Sequence, residues 1–254
     1  MPRMFNAHEV EGFRKDGYVI VRQLAAPETV RAMRSLAAAA LEAEVGPLEY
    51  EADLHYPGAP PSRTAPGGHT VRRLLQAYAR APVFRDWALS APVTGRLQQL
   101  LGPDILLAQA HHNCIMTKQP RYSSITHWHQ DIRYWAFERQ ELVSVWLALG
   151  PERVENGCLL LVPGSQAMAF TPAQFDKTIF FRPELPQNQQ LIATGIPAEL
   201  DAGDVLFFHC RTLHAAGRNE TDATKFSVVF TYHAVDNHPL ANTRSASTPE
   251  VAVA

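Results

Sequence analysis

His127-Trp128-His129-Gln130-Asp131 is the stretch around which this chain is organised. His129 and Asp131 form a His-x-Asp pair, and in an extended segment residues i and i+2 point to the same face. The imidazole and the carboxylate then converge on one point. Two of the three ligands of a 2-His-1-carboxylate facial triad, the usual mount for non-haem Fe(II) with open positions, have this shape. So short a pattern also arises by chance, and a third ligand has to come from elsewhere. His127 shares the face, where support of a ligand suits it better than ligation.

Two downstream histidines compete for the third position. Asp204-Val205-Leu206-Phe207-Phe208-His209 reads as a buried strand, followed by Cys210-Arg211-Thr212-Leu213-His214. His209 lies inside the apolar run, where a core role suits it. His214 comes at the end of the run, before Ala215-Ala216-Gly217, where a side chain can face a cavity mouth. Their offset of five residues puts them on opposite faces of a regular strand, and His214 is favoured. His111, His112 and His233 have no partner identifiable from sequence. Zinc is the chemical rival, since a His/His/Asp set also suits hydrolytic zinc sites, but no HExxH helix or cysteine pair accompanies it.

The bulk properties narrow the class. At 254 residues with 46% hydrophobic content the chain can bury a sizeable core. A formal net charge of -2 offers no basic surface for nucleic acid and no polybasic membrane patch. The 3 cysteines, Cys114, Cys158 and Cys210, form no CxxC pair or disulfide framework, which fits a reducing cytoplasm. The first residues lack the apolar run of a secretory leader, and no apolar stretch is long enough to span a bilayer.

The texture of the chain changes near residue 104. Before it, residues 8–16 read as a helix stopped by Gly17, Tyr18–Leu24 as a strand, and Pro27 as the start of a helix with Val30, Met33, Ala37, Ala40 and Leu41 on one face. Residues 46–69, rich in proline and glycine, read as a long loop, either a binding segment or disordered. Residues 71–101 return to helical periodicity through Leu74, Leu75, Tyr78, Trp87, Leu89, Val93, Leu97 and Leu101. After it come short β-like runs at 104–110, 112–118, 125–131, 142–149, 158–162, 191–193, 204–209 and 225–233. This order predicts a mainly β protein with flanking helices, a double-sheet jelly roll. One domain over 1–254 is the simplest division, with a helical flank over 1–103, the core over 104–237 and a frayed tail over 238–254.

These residues resemble the phytanoyl-CoA dioxygenase family of Fe(II)- and 2-oxoglutarate-dependent oxygenases, in particular its small phytanoyl-CoA-dioxygenase-domain members. Four blocks carry the resemblance in order: Phe13 to Val21; Met116-Thr117-Lys118-Gln119-Pro120 leading into Trp128-His129-Gln130-Asp131; Val145 to Leu149 with Glu155-Asn156-Gly157-Cys158-Leu159 and Val162-Pro163-Gly164-Ser165; and Gly203 through His214 to Asn219. The resemblance implies a double-stranded β-helix (cupin-like) core in which His129, Asp131 and His214 bind Fe(II) and 2-oxoglutarate chelates the iron. It also implies a basic anchor for the far carboxylate of 2-oxoglutarate eleven residues after the distal histidine. The family places arginine there; this chain has Lys225, a compact point charge in place of a planar fork.

Alternation supports a site-facing Lys225. Lys225, Ser227, Val229, Thr231 and His233 share one face, with Phe226, Val228, Phe230 and Tyr232 on the other. Ser227 could bond the same carboxylate. Trp146, on a face with Ser144 and Ala148, matches the family tryptophan that lines the co-substrate pocket. Arg72, or alternatively Arg73, matches a basic co-substrate contact, and Cys114 falls where relatives place an apolar pocket residue. Lys118 has no assignable role. The implied activity is oxidation of a C–H bond of a small molecule with O2, coupled to conversion of 2-oxoglutarate to succinate and CO2. Family halogenases carry a small residue in place of Asp131, so its presence favours hydroxylation or desaturation. Substrate contacts are sought in 46–69, Arg121 to Ser124, Arg133, Tyr134, Trp135 and Arg211. A cupin-like metal-binding sensor without 2-oxoglutarate turnover is the alternative that the Lys225 departure keeps open.

Overall fold

Asn6 and Gly17 bracket the first helix in the computed structural model, which describes residues 4–253. The Asn6 side chain accepts from the Glu9 amide while Glu9 accepts from the Asn6 amide, a capping box that opens α1 (Ala7–Asp16). Gly17 closes it at φ 81°, in the left-handed region. A Cβ at Gly17 would also sit 2.7 Å from Thr212 Oγ1, so the turn is pressed against the segment that leads to His214. The leaderless reading of the first three residues and the last residue of the tail lie outside the described residues.

The chain continues as β1 (Tyr18–Val21), then α2 (Pro27–Glu42), which starts on its proline and buries Val30, Met33 and Ala37. Next come β2 (Leu48–Tyr50), α3 (Glu51–Leu54), β3 (Val71–Leu75), α4 (Ala77–Arg80), α5 (Pro82–Ala88) and α6 (Ala91–Leu101). The β-rich part holds β4 (Ile105–Ala108), β5 (Cys114–Lys118), β6 (Thr126–His129), β7 (Leu142–Ala148) and β8 (Leu159–Leu161). It ends with α7 (Pro186–Ile192), β9 (Ile196–Ala198), β10 (Val205–His209), β11 (His214–Ala216), β12 (Lys225–Ala234) and β13 (Val251–Val253).

Two antiparallel sheets face each other. The larger runs β1-β10-β7-β12-β5-β3-β2, with β4 also on β12 and β13 on β4; the smaller runs β6-β11-β8-β9. Strict alternation divides the larger sheet. Val143, Val145, Leu147, Phe226, Val228, Phe230 and Tyr232 pack outward with residues of α2, α5 and α6 in one core. Trp146, Ala148, Val229, Leu206 and Phe208 point inward against Leu159, Leu161 and Ala216 of the smaller sheet. This is the expected jelly roll with flanking helices, and among the described residues no helix is long and apolar enough to cross a membrane.

Four local expectations are corrected. Residues 71–75 form a strand, because Leu74 packs opposite Ile115 on the outer face, and tertiary pairing outweighs the helical look of Leu74-Leu75. The 46–69 segment is partly regular: β2 pairs with β3, and Glu51, 1% exposed, is fixed by Arg72. Residues 191–193 are the end of a proline-started helix, and the strand comes later at β9. The tail is docked, with β13 on β4 and Glu250 Oε1 2.6 Å from His233 Nε2.

Candidate active site

The smaller sheet sets two histidines side by side. β6 and β11 are antiparallel neighbours in which His129 and His214 are direct partners, with ring centroids 4.2 Å apart. Each ring is aimed in the same way. His129 Nδ1 lies 2.8 Å from the His127 carbonyl, and His214 Nδ1 lies 2.9 Å from the Thr212 carbonyl. A carbonyl only accepts, so Nδ1 carries the proton and Nε2 is left as a lone-pair donor. β6 ends at His129, yet Gln130 stays extended (φ -107°, ψ 136°), so the i, i+2 relation holds and Asp131 opens a 3-10 turn with its carboxylate on the same side.

The three ligand groups meet. Asp131 Oδ1 is 3.5 Å from His129 Nε2 and 3.4 Å from His214 Nε2. The ligand atoms of these three buried residues lie within 4.8 Å of one another. Burial, together with His214, pushes the His129 pKa down to about 4. Burial opposes ionisation of Asp131, but the neighbouring His112, His214 and His129 hold its carboxyl well below the usual range. His214 is raised: burial acts against it and the Asp131 carboxylate prevails. A neutral imidazole, an ionised carboxylate and free Nε2 atoms suit a divalent cation of the iron or zinc type.

The rejected histidines are elsewhere. His209 closes β10, accepting from the Arg211 amide with its ring beside Phe13. His127 supports the site through its carbonyl, while its ring packs on Phe180. His112, one of the three histidines that the sequence could not place, has its Nε2 3.6 Å from Asp131 Oδ1, and its ring meets Tyr134 edge-on. Its position after strand β4 gives no periodic cue.

The cavity between the sheets continues from the triad toward β5 and β12, and includes Arg72, Met116, Lys118, Trp146 and Lys225. A register shift of β2 on β3 skips Arg72, and this irregularity turns its guanidinium inward. There it bonds Glu51, Ser124 and Thr126 at 3.2, 2.9 and 2.9 Å. Arg73 reaches the same cavity and pairs with Glu49 at 3.2 Å. Cys114 sits deeper, in the apolar layer between the sheets, and Met116, two residues along the same face, forms the wall instead.

Lys225, Ser227 and Trp146 come together as the alternation predicts, around a residue the sequence did not suggest. Glu152, fully buried, accepts from Trp146 Nε1 at 2.9 Å, Ser227 Oγ at 2.6 Å and Lys225 Nζ at 2.9 Å. It stands just beyond β7 in a loop with no periodicity, so no sequence signal marked it. Over the triad, the Tyr56 and Tyr134 hydroxyls are 3.3 Å apart, and Arg133 donates to Tyr134 at 2.8 Å. Tyr56 belongs to the 46–69 segment, which thus covers the site. Arg211 is turned away, donating to the Met168 carbonyl.

Known proteins share this plan. The phytanoyl-CoA dioxygenase (PhyH) family matches residues 13–227. An ectoine dioxygenase of Bordetella parapertussis is 25% identical over 249 residues, 91% of this chain and 76% of its own. The structure of EctD from S. alaskensis with 2-oxoglutarate and 5-hydroxyectoine superposes with a TM-score of 0.76 at 18% identity, covering 93% of this chain and 78% of that one. The carbocyclase SnoK from nogalamycin biosynthesis gives 0.74 at 21% identity and covers 100% of both chains. This chain belongs to the phytanoyl-CoA dioxygenase family and is a non-haem iron, 2-oxoglutarate-dependent dioxygenase.

Proposed function

We propose that His129, Asp131 and His214 hold Fe(II), that 2-oxoglutarate lies in the cavity running toward β5 and β12, and that a small-molecule substrate enters past Tyr56 and Tyr134. The observation that carries this reading is the convergence of two Nε2 atoms and one carboxylate oxygen at the mouth of a cavity rich in cations. The bound iron and O2 supply the oxidation of a substrate C–H bond, hydroxylation or a related outcome, while 2-oxoglutarate leaves as succinate and CO2.

The protein's own groups bind, orient and shield. The two backbone carbonyls fix the histidine rings, so both Nε2 atoms would be presented to a metal on the cavity side. Tyr56, Tyr134 and Arg133 close the outer side and keep water from the metal face. Burial, with Tyr56 nearby, pushes the Tyr134 pKa up to about 12, so its hydroxyl stays a neutral donor for a polar substrate group. Ectoine, the substrate named for several relatives, is the kind of small polar molecule such a mouth would take.

Anaerobic titration of the Fe(II) protein with 2-oxoglutarate tests this assignment. The visible charge-transfer band of a chelated 2-oxo acid is expected, followed under air by succinate formation that a metabolite mixture stimulates. Stimulated succinate formation that survives Asp131→Ala would sink the iron assignment, and a band with no succinate under air would favour a binding module.

A further inference from the structure

The cations of the cavity are not equivalent. Arg72 is paired with Glu51 at 3.2 Å, Arg73 with Glu49 at 3.2 Å and Lys225 with Glu152 at 2.9 Å. Lys118 has no carboxylate within ion-pair distance among the described residues, and its ammonium donates to the Ser124 carbonyl at 3.1 Å. It lines the same cavity as the triad. Lys118 and Lys225 are directly opposed in the β5–β12 register, so their side chains leave the sheet side by side on its inner face. One of this pair already holds a carboxylate and the other does not.

The free lysine is seated by a specific backbone feature. Gly157, at φ 75°, lets the Lys118 stem cross it: a Cβ there would lie 2.6 Å from Lys118 Cε and 2.6 Å from the Gly217 carbonyl. Burial, with Arg72 and Lys225 close by, pushes the Lys118 pKa well below the ordinary lysine value. A desolvated ammonium without a counter-charge is costly to a fold. An anionic ligand that completes the pair would offset that cost. By contrast, the Glu152 carboxylate already accepts from Trp146, Ser227 and Lys225, and a ligand taking Lys225 from it would leave it buried without its counter-charge.

We propose that Lys118, rather than Lys225, receives the far carboxylate of 2-oxoglutarate, while Glu152 is a built-in carboxylate that keeps Lys225 occupied. This rests on the reading that 2-oxoglutarate binds the triad metal in this cavity.

Calorimetry on Zn(II)-substituted protein separates the two claims, with pyruvate as a second probe because it chelates a metal in the same way but has no far carboxylate. Wild-type protein is expected to prefer 2-oxoglutarate over pyruvate. Lys118→Met should weaken 2-oxoglutarate by about 10–100-fold, the worth of a charge-assisted hydrogen bond, and leave pyruvate unchanged. Lys118→Arg should keep most of the preference, and Lys225→Met combined with Glu152→Gln should leave it intact. The thermal midpoint of Lys118→Met should hold or rise, since the substitution removes an uncompensated charge. Undiminished preference in Lys118→Met overturns the proposal, as does loss of the preference when Lys225→Met is combined with Glu152→Gln, which would mean that Lys225 holds the ligand. Wild-type protein that binds neither keto acid overturns the metal-site reading itself, and this inference with it.

Discussion

The two ends of the cavity are held in opposite ways. At the metal end the main chain does the positioning: carbonyls of His127 and Thr212 aim the rings, and the β6–β11 register brings them together. At the far end the side chains hold one another, with Glu152 accepting from Trp146, Ser227 and Lys225, and Arg72 spanning Glu51, Ser124 and Thr126. A site aimed by backbone can lose a ligand side chain and keep its shape. A site built from mutually paired charges cannot lose one member without stranding another in low dielectric.

The largest effect tests the first half of this contrast. Asp131→Ala should lower metal affinity by more than the roughly 10–100-fold typical of a lost outer partner. The thermal midpoint of the metal-free protein should move by only a few degrees. Metal analysis and calorimetry on one preparation check both numbers, and a collapse of the midpoint would break the contrast. Lys225→Met tests the second half. It leaves the Glu152 carboxylate buried without its counter-charge, at a cost of about 3–5 kcal/mol, on the order of 10 °C in a chain of this size. Lys225→Met combined with Glu152→Gln should recover more than half of that loss. A double variant as unstable as the single one would show that the pair is not what holds this end.

The smallest effect sharpens the same point with pH. Asp204 accepts from the Gln23 and Asp201 amides at 2.9 and 2.8 Å and from Arg22 at 2.6 Å, fastening β1 to β10. Burial works against its ionisation, but the Asp201 amide, Arg22 and the Gln23 amide hold its carboxyl below the ordinary value of 3.8. The folded pKa is thus lower than the unfolded one, so the stabilisation is complete above the ordinary value and fades as pH falls through the lowered one. Asp204→Asn should cost about 1 kcal/mol at neutral pH. Its denaturation curve should converge on that of the wild-type protein in acid, and a gap that stays constant down to low pH would refute the carboxylate origin.

Much of this was legible in the residues because β alternation is a strong code. The alternation of 225–233 and of 142–149 separated the two faces of each strand, and it put Lys225, Ser227 and Trp146 on the faces that meet around Glu152. Equal reading of β5 would have put Lys118 on the inner face with Cys114 and Met116. Glu152 was not legible. It is fixed by contacts to strands far away in sequence, and a lone glutamate in a loop looks like a solvated one. Val71–Leu75 misled for a related reason: its leucines repeat as a helix would, and only the neighbouring β5 makes them a strand.

The docked tail has a consequence for handling the protein. β4, with its apolar run Ile105-Leu106-Leu107-Ala108, is flanked by β12 on one side and by β13 on the other. A chain trimmed after residue 237 would keep the triad and the cavity wall yet uncover a row of unpaired amides and carbonyls along β4. Exposed strand margins of this kind recruit other molecules by edge-to-edge pairing. Residues 251–253 therefore act as a colloidal safeguard, and a trimmed protein would be catalytically equipped but prone to sticking to itself.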